Sequence, residues 1–257
     1  MTSTEQTRDE LLMDVPSASG AIRVWQNTEH RWLCINDVEQ SRIRIQAPHD
    51  VQSPVHRAFL LPLLFIDTPR KVMLVGLGGG VIVNALQHIA PSIEGDAIEI
   101  EPLVVEAARK YFYLSENNWR IHVSDIRDWE GSQQDLIYVD IADDDSTPDW
   151  LVSTASIEHF KGRLTDNGVL LINLLVEDSE RFRDILIRLR SAFDNRTVCI
   201  GFDDHWNIVV MCFRSAPTHP ADQMEARCAA LHMSSGCDLT DLVARMRKDN
   251  PPGSGVL

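Results

Sequence analysis

The sequence lacks several features that would assign the chain to a membrane, to nucleic acid or to the secretory route. Its 257 residues contain no run of about 18 apolar residues, so we expect no segment to span a bilayer. Residues 1–19 are polar and acidic, without the basic and apolar regions of a signal peptide. The net charge of −14 argues against partners such as nucleic acid or an anionic membrane surface, which need basic patches.

Cysteine is also scarce, and no two cysteines form a CxxC pair. The five cysteines, an odd number, favour a reducing compartment, and we predict a cytoplasmic protein. The histidines are scattered without metal-ligand spacing, which predicts no metal site. What the chain does contain is enough apolar material, 44% of its residues, for the core of one large domain.

The order of the apolar segments predicts an α/β protein. Short alternating segments after Gly20 are typical of a small antiparallel β unit. From Lys71 onward, strand-like and helix-like segments alternate, which favours a Rossmann-like, doubly wound and mostly parallel sheet. Between the two, residues 55–66 are apolar enough for a buried helix that Pro62 bends or ends. The predicted parts are a flexible N-terminal arm (1–19), a β domain (20–53), a Rossmann-like catalytic domain (54–215) and a C-terminal helical tail (216–257).

The central segment of the chain is KVMLVGLGGGV, residues 71–81. Its apolar, β-branched start is typical of a buried parallel strand, glycines follow at once, and a helix can begin after them. Glycines let the backbone turn sharply and lie close to a ligand, while a helix N-terminus offers free N–H groups. The segment predicts a nucleotide cradle at Gly76, Gly78 and Gly80, although a tight strand–helix turn without a ligand would show the same pattern.

Three acidic residues stand where successive predicted strands end. Glu99 follows the glycines by about 20 residues, where a carboxylate can bind both hydroxyls of a ribose. Asp125 ends the third predicted strand and Asp140 ends the fourth. Because ligands of an open parallel sheet bind beyond the carboxyl ends of its strands, this row predicts a ligand that contains a nucleoside.

The row of acids also bears on which nucleoside is bound. A dinucleotide would need basic residues near its pyrophosphate, whereas carboxylates suit a ribose and an adenine without phosphate. Carboxylates would also stabilise the positive charge of a sulfonium. We therefore expect S-adenosylmethionine or decarboxylated S-adenosylmethionine as the co-substrate, with no metal.

Residues 140–149, DIADDDSTPD, contain five aspartates directly after the fourth predicted strand. Taken alone, such a run is equally well explained by a solvated loop. Its place at a strand end favours a functional role, because binding residues often lie on such loops. A carboxylate there could bind an ammonium group or accept a proton from an attacking amine. The candidates for these roles are Asp140 and Asp143.

These segments resemble, in order, the motifs of the spermidine synthase (polyamine aminopropyltransferase) family over about residues 20–213. CINDVEQSRI is similar to the family's DGxxQ strand and places Gln40 at the glutamine. KVMLVGLGGGV resembles the glycine loop, AIEIEP the VEID strand and VSD the GDG or GDA element. LIYVDIAD resembles VIIVDSSD, and GRLTDNGVLLIN resembles LKPGGILVTQ.

The resemblance implies a role for each acidic residue of the row. It places Glu99 on the ribose with Glu101 beside it, and Asp125 on the adenine amine. It places Asp140 and Asp143 at the paired aspartates of a gate loop, where they would hold and deprotonate the amine. Gln40 would join the residues that bind the donor.

The resemblance also implies the activity. In this family an aminopropyl group passes from decarboxylated S-adenosylmethionine to putrescine. A deprotonated amine attacks the carbon next to the sulfonium, and methylthioadenosine leaves. The chain would be an enzyme with a β N-terminal domain and a Rossmann-like domain, a small amine or polyamine as substrate, and a homodimer or higher homo-oligomer as its assembly.

The chain departs from the family pattern in the half that would hold the amine. The family's GGGDGG loop carries an aspartate that contacts the aminopropyl group, and we place Gly78 at that position. The tyrosine after the family's linker falls on Pro54. The glutamate after its VTQ strand falls near Leu175 and Glu177, and the late tyrosine of its amine site falls near residues 203–205. Two alternatives therefore stay open, an S-adenosylmethionine-dependent methyltransferase on the same scaffold and a non-catalytic protein that keeps only nucleoside binding.

Two further clusters allow both a functional and a structural interpretation. His205 and Trp206 could line an amine pocket through cation–π contacts, or they could form a hairpin turn. Arg127 and Trp129, shortly after Asp125, could cover the adenine or simply pack on the surface.

Overall fold

The computed structural model describes residues 9–143, 146–176, 178–203 and 205–257. Within these ranges the chain forms an antiparallel sheet of four strands and a mostly parallel sheet of seven strands with helices packed on it. The predicted fold class, α/β with a small β unit before a Rossmann-like sheet, is confirmed. The expectations for residues 1–8, Asp144, Asp145, Glu177 and Asp204 lie outside the described residues.

The strands are β1 (Glu10–Ser17), β2 (Gly20–Gln26), β3 (His30–Ile35), β4 (Val38–Arg44), β5 (Lys71–Val75), β6 (Glu94–Glu99), β7 (Trp119–Val123), β8 (Gln134–Val139), β9 (Leu164–Leu175), β10 (Thr197–Phe202) and β11 (His205–Phe213). The helices are α1 (Pro54–Ala58), α2 (Pro62–Phe65), α3 (Val81–Ile89), α4 (Pro102–Tyr111), α5 (Thr154–Gly162), α6 (Ser179–Ala192), α7 (Met224–Ser235) and α8 (Thr240–Asp249). No helix in the described ranges is long and apolar enough to cross a membrane.

The smaller sheet is a meander in which β1, β2, β3 and β4 pair in chain order. The prediction of a flexible arm over residues 1–19 is wrong for residues 10–17, because these form β1. The segment pairs antiparallel with β2, from Glu10 opposite Gln26 to Ser17 opposite Gly20. Its side chains at Leu12, Met13 and Val15 are partly buried, so the segment is an edge strand of the sheet and not a loose arm.

The larger sheet has the strand order β10-β11-β9-β8-β5-β6-β7. Strands β5 to β9 run parallel, and β10 and β11 add an antiparallel hairpin at one edge. Alternation along a strand supplies two separate cores, one on each face. In β8, Leu136 and Tyr138 join one core, and Ile137 and Val139 join the other.

The strand order reverses beside β5. The chain passes from β5 outward through β6 and β7, and then returns to place β8 on the other side of β5. The carboxyl ends of strands at such a switch point form the crevice in which open α/β sheets bind ligands. Gly76 follows β5 and Asp140 follows β8, so both lie at this crevice.

Residues 55–66 form two short helices where one was predicted. Pro54 is the first residue of α1, and the hydroxyl of Ser53 accepts a hydrogen bond from the backbone N–H of His56. Pro62 begins α2, so this proline starts a new helix after the first has ended. The two helices carry His56 and a row of buried apolar side chains over the larger sheet.

Candidate active site

The glycine loop after β5 uses its glycines for backbone conformations that other residues rarely adopt. The φ angles of Gly76, Gly78 and Gly80 are +90°, +51° and +75°, all in the left-handed region. A Cβ atom on Gly76 would clash with the carbonyl oxygen of Asp140. A Cβ atom on Gly80 would lie 2.7 Å from Leu114 Cδ1. The loop therefore packs tightly against its neighbours, and each of these glycines is required by the fold.

Strand β4 lies directly against this loop. Gly79 donates its backbone N–H to Ser41 Oγ at 2.8 Å. A Cβ atom on Gly78 would lie 2.7 Å from Ser41 Oγ and 3.9 Å from the carbonyl oxygen of Gln40, whose side chain is exposed. If GGGDGG is counted from the loop's first glycine, the family aspartate falls on Gly79. A Cβ atom there would lie 3.0 Å from Ser41 Cβ. An aspartate at Gly78 would therefore displace the Ser41 hydroxyl, and one at Gly79 would require Phe112 and Ser41 to shift.

Glu99, at the end of β6, is tied to the glycine loop. Its Oε2 accepts a hydrogen bond from the Leu77 N–H at 3.0 Å, and its Oε1 accepts one from the Glu101 N–H at 3.0 Å. Burial raises the pKa of Glu99, and the backbone N–H groups around the carboxylate only partly offset that effect. The structure thus places the Glu99 carboxylate against the glycine loop, and its contact with a ribose stays a prediction.

Glu101, which the resemblance put beside Glu99, caps a helix instead. Its carboxylate accepts a hydrogen bond from the Leu103 N–H at 3.1 Å at the start of α4, and another from Ser19 Oγ at 3.3 Å. The residue is 6% exposed. We therefore assign Glu101 to the junction between α4 and the N-terminal sheet.

Asp125 lies two residues after β7, and its carboxylate is held by Arg127. Arg127 Nε lies 3.0 Å from both carboxylate oxygens, and this pairing lowers the pKa of Asp125. The Arg127 guanidinium also lies over the ring of Trp150, with 5.0 Å between its Cζ and the ring centroid. Trp129 packs against Arg163 at 5.3 Å, which favours surface packing over an adenine contact for that residue.

Asp140 is the most constrained carboxylate of the row. Its Oδ2 lies 3.2 Å from His56 Nε2, and its Oδ1 accepts a hydrogen bond from Asn173 Nδ2 at 2.8 Å. Asn207 Nδ2 in turn donates to Asn173 Oδ1 at 3.0 Å. Burial acts to raise the pKa of Asp140, but the His56 imidazole and the Asn173 amide outweigh it, so the pKa lies below its usual range.

His56, Asn173 and Asn207 were not predicted as site residues. Asn173 could have been found from the sequence, because it is a polar residue within the apolar strand VLLINLL. His56 stands 84 positions before Asp140, and only the packing of α1 on the sheet brings the two together. Asp140 itself was predicted, and the structure places it at the crevice as expected.

Asp143 behaves differently from Asp140. It is exposed, and its backbone exchanges two hydrogen bonds with that of Ser146, at 2.9 and 3.0 Å. Within the described part of the chain, no hydrogen bond joins its side chain to Asp140. The pairing of the two aspartates across an amine therefore stays a prediction.

A cavity of about 540 Å³ opens at the β10–β11 hairpin next to this network. Asn207, which holds Asn173, forms part of its wall, so the cavity and Asp140 are connected through two amides. Trp206 is 58% exposed at the rim, and Asp203 is paired with Arg245 at 2.6 Å. The cluster at His205 and Trp206 is therefore both a hairpin and a cavity wall.

Comparison with known proteins gives the chain's relatives. No family model matches it. It is 26% identical over 223 residues to a polyamine aminopropyltransferase of Neisseria meningitidis, with 84% of each chain covered. It is 28% identical over 225 residues to the polyamine aminopropyltransferase of Chromobacterium violaceum, with 85% of each chain covered. An eEF1A lysine and N-terminal methyltransferase of Danio rerio is 27% identical over 170 residues, which are 60% of this chain and 24% of that protein.

Solved structures give a consistent result for the fold. A probable spermidine synthase from Corynebacterium glutamicum superposes with a TM-score of 0.73 at 15% identity, covering 88% of this chain and 94% of that one. Human methyltransferase-like protein 13, in complex with SAH, gives 0.65 at 21% identity over 72% of this chain and 93% of that one. A spermidine synthase in complex with the transition-state analogue AdoDATO gives 0.61 at 16% identity over 80% and 72%.

Fold and site together define a Rossmann-like protein with carboxylates at the carboxyl ends of three parallel strands around the switch point. The relatives confirm the resemblance to the spermidine synthase family, and the chain is spermidine synthase-like in sequence and in fold. The curated relatives are transferases by name, which agrees with the prediction that leans towards an enzyme.

Proposed function

We propose that the chain transfers an aminopropyl group from decarboxylated S-adenosylmethionine to a small amine or polyamine. The observation that carries this proposal is the position of Glu99, Asp125 and Asp140 at one edge of the sheet, in a chain whose aminopropyltransferase relatives match it over most of their length. The runner-up is methyl transfer from intact S-adenosylmethionine on the same scaffold.

The residues present fit an S-adenosyl donor. Backbone N–H groups of Leu77 and Glu101 fix the Glu99 carboxylate at the crevice. Each carboxylate oxygen keeps a free lone pair that can accept a hydrogen bond from a ribose hydroxyl. Asp125 would accept from the adenine amine. Asp140 is an anion in a partly buried site, where it stabilises a positive charge more strongly than it would in water.

Asp140 and Asp143 would hold the acceptor as its ammonium form before the proton is removed. The nitrogen lone pair then attacks the carbon next to the sulfonium, the carbon–sulfur bond breaks, and methylthioadenosine leaves as a neutral thioether. The cavity beside Asn207 has room for a short amine and joins the Asp140 network. Assembly as a homodimer, also implied by the resemblance, could be checked by light scattering.

One observation favours the methyltransferase alternative. The loop position that contacts the aminopropyl group in the family carries no carboxylate here. It is a glycine, and Ser41 packs tightly against the loop. A donor that keeps its own carboxylate would not need one there. The curated methyltransferase relative and the SAH-bound neighbour show that close relatives of this fold also include methyltransferases.

Two measurements separate the proposals. A ligand that binds only the folded state raises the melting temperature, so thermal unfolding with each donor reports the preferred one. We expect the larger shift with decarboxylated S-adenosylmethionine, and a larger shift with the intact compound would favour methyl transfer. We also expect methylthioadenosine release with at least one amine from a panel of di- and polyamines.

An aspartate variant tests whether the chain is a catalyst or only a binder. Asp140→Asn should lower turnover by at least about 100-fold while leaving donor affinity in place, because the charge that holds the acceptor is lost. Asp166→Asn, an exposed aspartate at the far end of β9, is the matched control. If the unaltered chain binds the donor but releases no methylthioadenosine with any amine of the panel, the proposal is contradicted. The chain would then be a protein that only binds nucleosides.

A further inference from the structure

His56 forms a close pair with Asp140, and the transfer reaction proposed above assigns no role to the histidine. The two side chains are 18% and 27% exposed, so the pair lies at the boundary between the core and the crevice. A carboxylate only accepts hydrogen bonds, and therefore His56 Nε2 carries the hydrogen that points to Asp140 Oδ2. The other ring nitrogen, Nδ1, then has a lone pair that can take up a proton.

The fold fixes this pair through matched positions on α1 and β8. His56 and Phe59 are three residues apart and lie on one face of the helical segment. Tyr138 and Asp140 are two residues apart and lie on one face of the strand. Phe59 stacks on Tyr138 with 5.5 Å between ring centroids, and this contact places His56 opposite Asp140.

The helix segment is itself held at both ends. Pro54 starts α1, Ser53 caps it through the His56 N–H, and Val55 and Ala58 are buried. The edge of the His56 ring also rests on Phe59, at 5.8 Å between centroids. The imidazole is therefore positioned by its own helix as well as by Asp140.

The surroundings of the imidazole contain one charged partner. Among the ion pairs of the described ranges, the one that includes His56 joins it to Asp140. Asn173, which binds the other oxygen of Asp140, is neutral, and Arg57, the next residue after His56, is paired with Asp241 at 2.7 Å. Asp140 is thus free to stabilise a positive charge on the imidazole.

We propose that His56 takes the proton from the acceptor amine and that Asp140 positions His56 and stabilises the imidazolium. This assignment rests on the proposed function and names the proton acceptor of that same reaction. The ammonium proton moves to His56 Nδ1, and the freed lone pair forms the new carbon–nitrogen bond while the carbon–sulfur bond breaks. The imidazolium then releases the proton to water.

The arrangement agrees with the chemistry expected of the two groups. A carboxylate whose pKa is lowered holds its negative charge firmly but is a weak proton acceptor, whereas an imidazole is suited to accept and release a proton near neutral pH. A histidine base oriented by a carboxylate is a recurring arrangement for proton removal from a nucleophile.

The first test replaces His56 by glutamine, whose side-chain amide can still donate to Asp140 but cannot take a proton. With decarboxylated S-adenosylmethionine and the best amine of the panel, we expect His56→Gln to lower kcat by about 100-fold or more. Donor affinity, measured by calorimetry, should stay within about threefold. The rise of kcat/KM with pH should flatten in the variant. The control is His232→Gln, which changes an exposed histidine of α7.

The second test uses His56→Ala with free imidazole added. If the imidazole acts as the base, added imidazole should restore part of the lost activity, and the recovery should increase with the pH as neutral imidazole accumulates. A purely structural role predicts no such recovery. Melting curves of both variants show whether they are folded.

The outcomes separate this inference from the proposed function. Release of methylthioadenosine that is equal in the unaltered chain and in folded His56→Gln would overturn the role of His56 and leave the proposed function intact. Loss of donor affinity with unchanged kcat would also overturn it. No release by the unaltered chain with any amine would overturn the proposed function, and this inference with it.

Discussion

Glu99 is the residue that joins the glycine loop to the predicted ribose position. Both of its oxygens accept backbone hydrogen bonds, from Leu77 and from Glu101. In Glu99→Gln an amide NH2 would replace one acceptor and face an N–H group. We expect donor affinity to fall by about 10-fold or more, because the ribose hydroxyls lose a charged acceptor and a hydrogen bond to a charged group contributes about 1.5–3 kcal/mol. Isothermal calorimetry with both S-adenosyl compounds measures the effect.

The matched control for Glu99 lies on the exposed face of α4. Glu106→Gln removes the same charge from the surface, so it should leave donor affinity unchanged. Equal affinities for Glu99→Gln and Glu106→Gln would show that the nucleoside does not bind at the end of β6.

Asp96, in β6, forms an ion-pair cluster away from the crevice whose stability should depend on pH. Its carboxylate binds Arg120 at 2.9 and 3.0 Å and His122 at 2.7 Å. Burial acts to raise the pKa of Asp96, but hydrogen bonds from Arg120 and His122 outweigh it and lower the pKa. The folded state therefore binds the proton less tightly than the unfolded chain does. The resulting stability is present above the unfolded pKa of about 3.9 and is lost as the pH falls through the lowered value.

Asp96→Asn should therefore lower the free energy of unfolding at pH 7 by about 1–3 kcal/mol, and the difference from the unaltered chain should shrink below about pH 4. Urea unfolding at a series of pH values gives both quantities. Asp166→Asn, whose exposed side chain lies 3.8 Å from Arg214, should change stability by less than about 0.5 kcal/mol. A difference that stays constant down to pH 3 would contradict the assigned role of the Asp96 carboxylate.

At the scale of single elements, β8 carries a buried tyrosine whose hydroxyl lacks a hydrogen bond in the described residues. Tyr138 is fully buried, and its hydroxyl has no hydrogen-bond partner among the described residues. Tyr138→Phe keeps the ring that stacks on Phe59 and removes the unpaired hydroxyl. We expect the free energy of unfolding to rise by about 1 kcal/mol, since a buried polar group without a partner is costly.

A second tyrosine supplies the opposite case. Tyr111, at the end of α4, donates its hydroxyl to the carbonyl oxygen of Leu12 in β1 at 3.1 Å. Tyr111→Phe should lower the free energy of unfolding by about 1 kcal/mol because this hydrogen bond is lost. If both variants are destabilised equally in urea, the Tyr138 hydroxyl has a partner after all and the prediction is wrong.

The same scale shows what the sequence could and could not predict. The strand–glycine–helix segment at 71–81 and the acids after it follow from local patterns, so the larger sheet and its crevice could be predicted. Residues 10–17, ELLMDVPS, were missed although Leu12, Met13 and Val15 are apolar, because the segment shows no strict alternation and its partial burial becomes visible only beside β2. His56 could not be predicted either, since its role depends on where α1 packs.

The departures from the family pattern also become clear only at the level of packing. The glycine-rich loop lacks the family's aspartate, and Ser41 of β4 lies so close to Gly78 and Gly79 that a longer side chain at either position would have to displace it. The N-terminal sheet thus restricts which side chains the glycine loop can carry. No pattern within residues 71–81 alone could reveal this, because the partner strand lies about 40 positions earlier.

Across the whole molecule, three separate parts of the chain converge on the larger sheet. The N-terminal sheet packs on the glycine loop, α1 reaches the end of β8, and the C-terminal helices pack on β10, α2 and α3. Arg57 of α1 pairs with Asp241 of α8, and Asn250 exchanges hydrogen bonds with the backbone of Cys199 in β10. The tail is thus part of the same structure as α1, the element that carries His56.

The tail should therefore contribute to global stability. Met246 of α8 is fully buried in the core that also contains Leu74 and Tyr138, whereas Met233 of α7 is 87% exposed. Met246→Ala should lower the free energy of unfolding by about 2–5 kcal/mol because it leaves a cavity. Met233→Ala should change it by less than about 0.5 kcal/mol. Urea unfolding followed by circular dichroism compares them, and equal stabilities would mean that α8 does not share the core of the sheet. We expect one unfolding transition whose urea midpoint falls in Met246→Ala. That result would show that the tail unfolds together with the crevice and with His56.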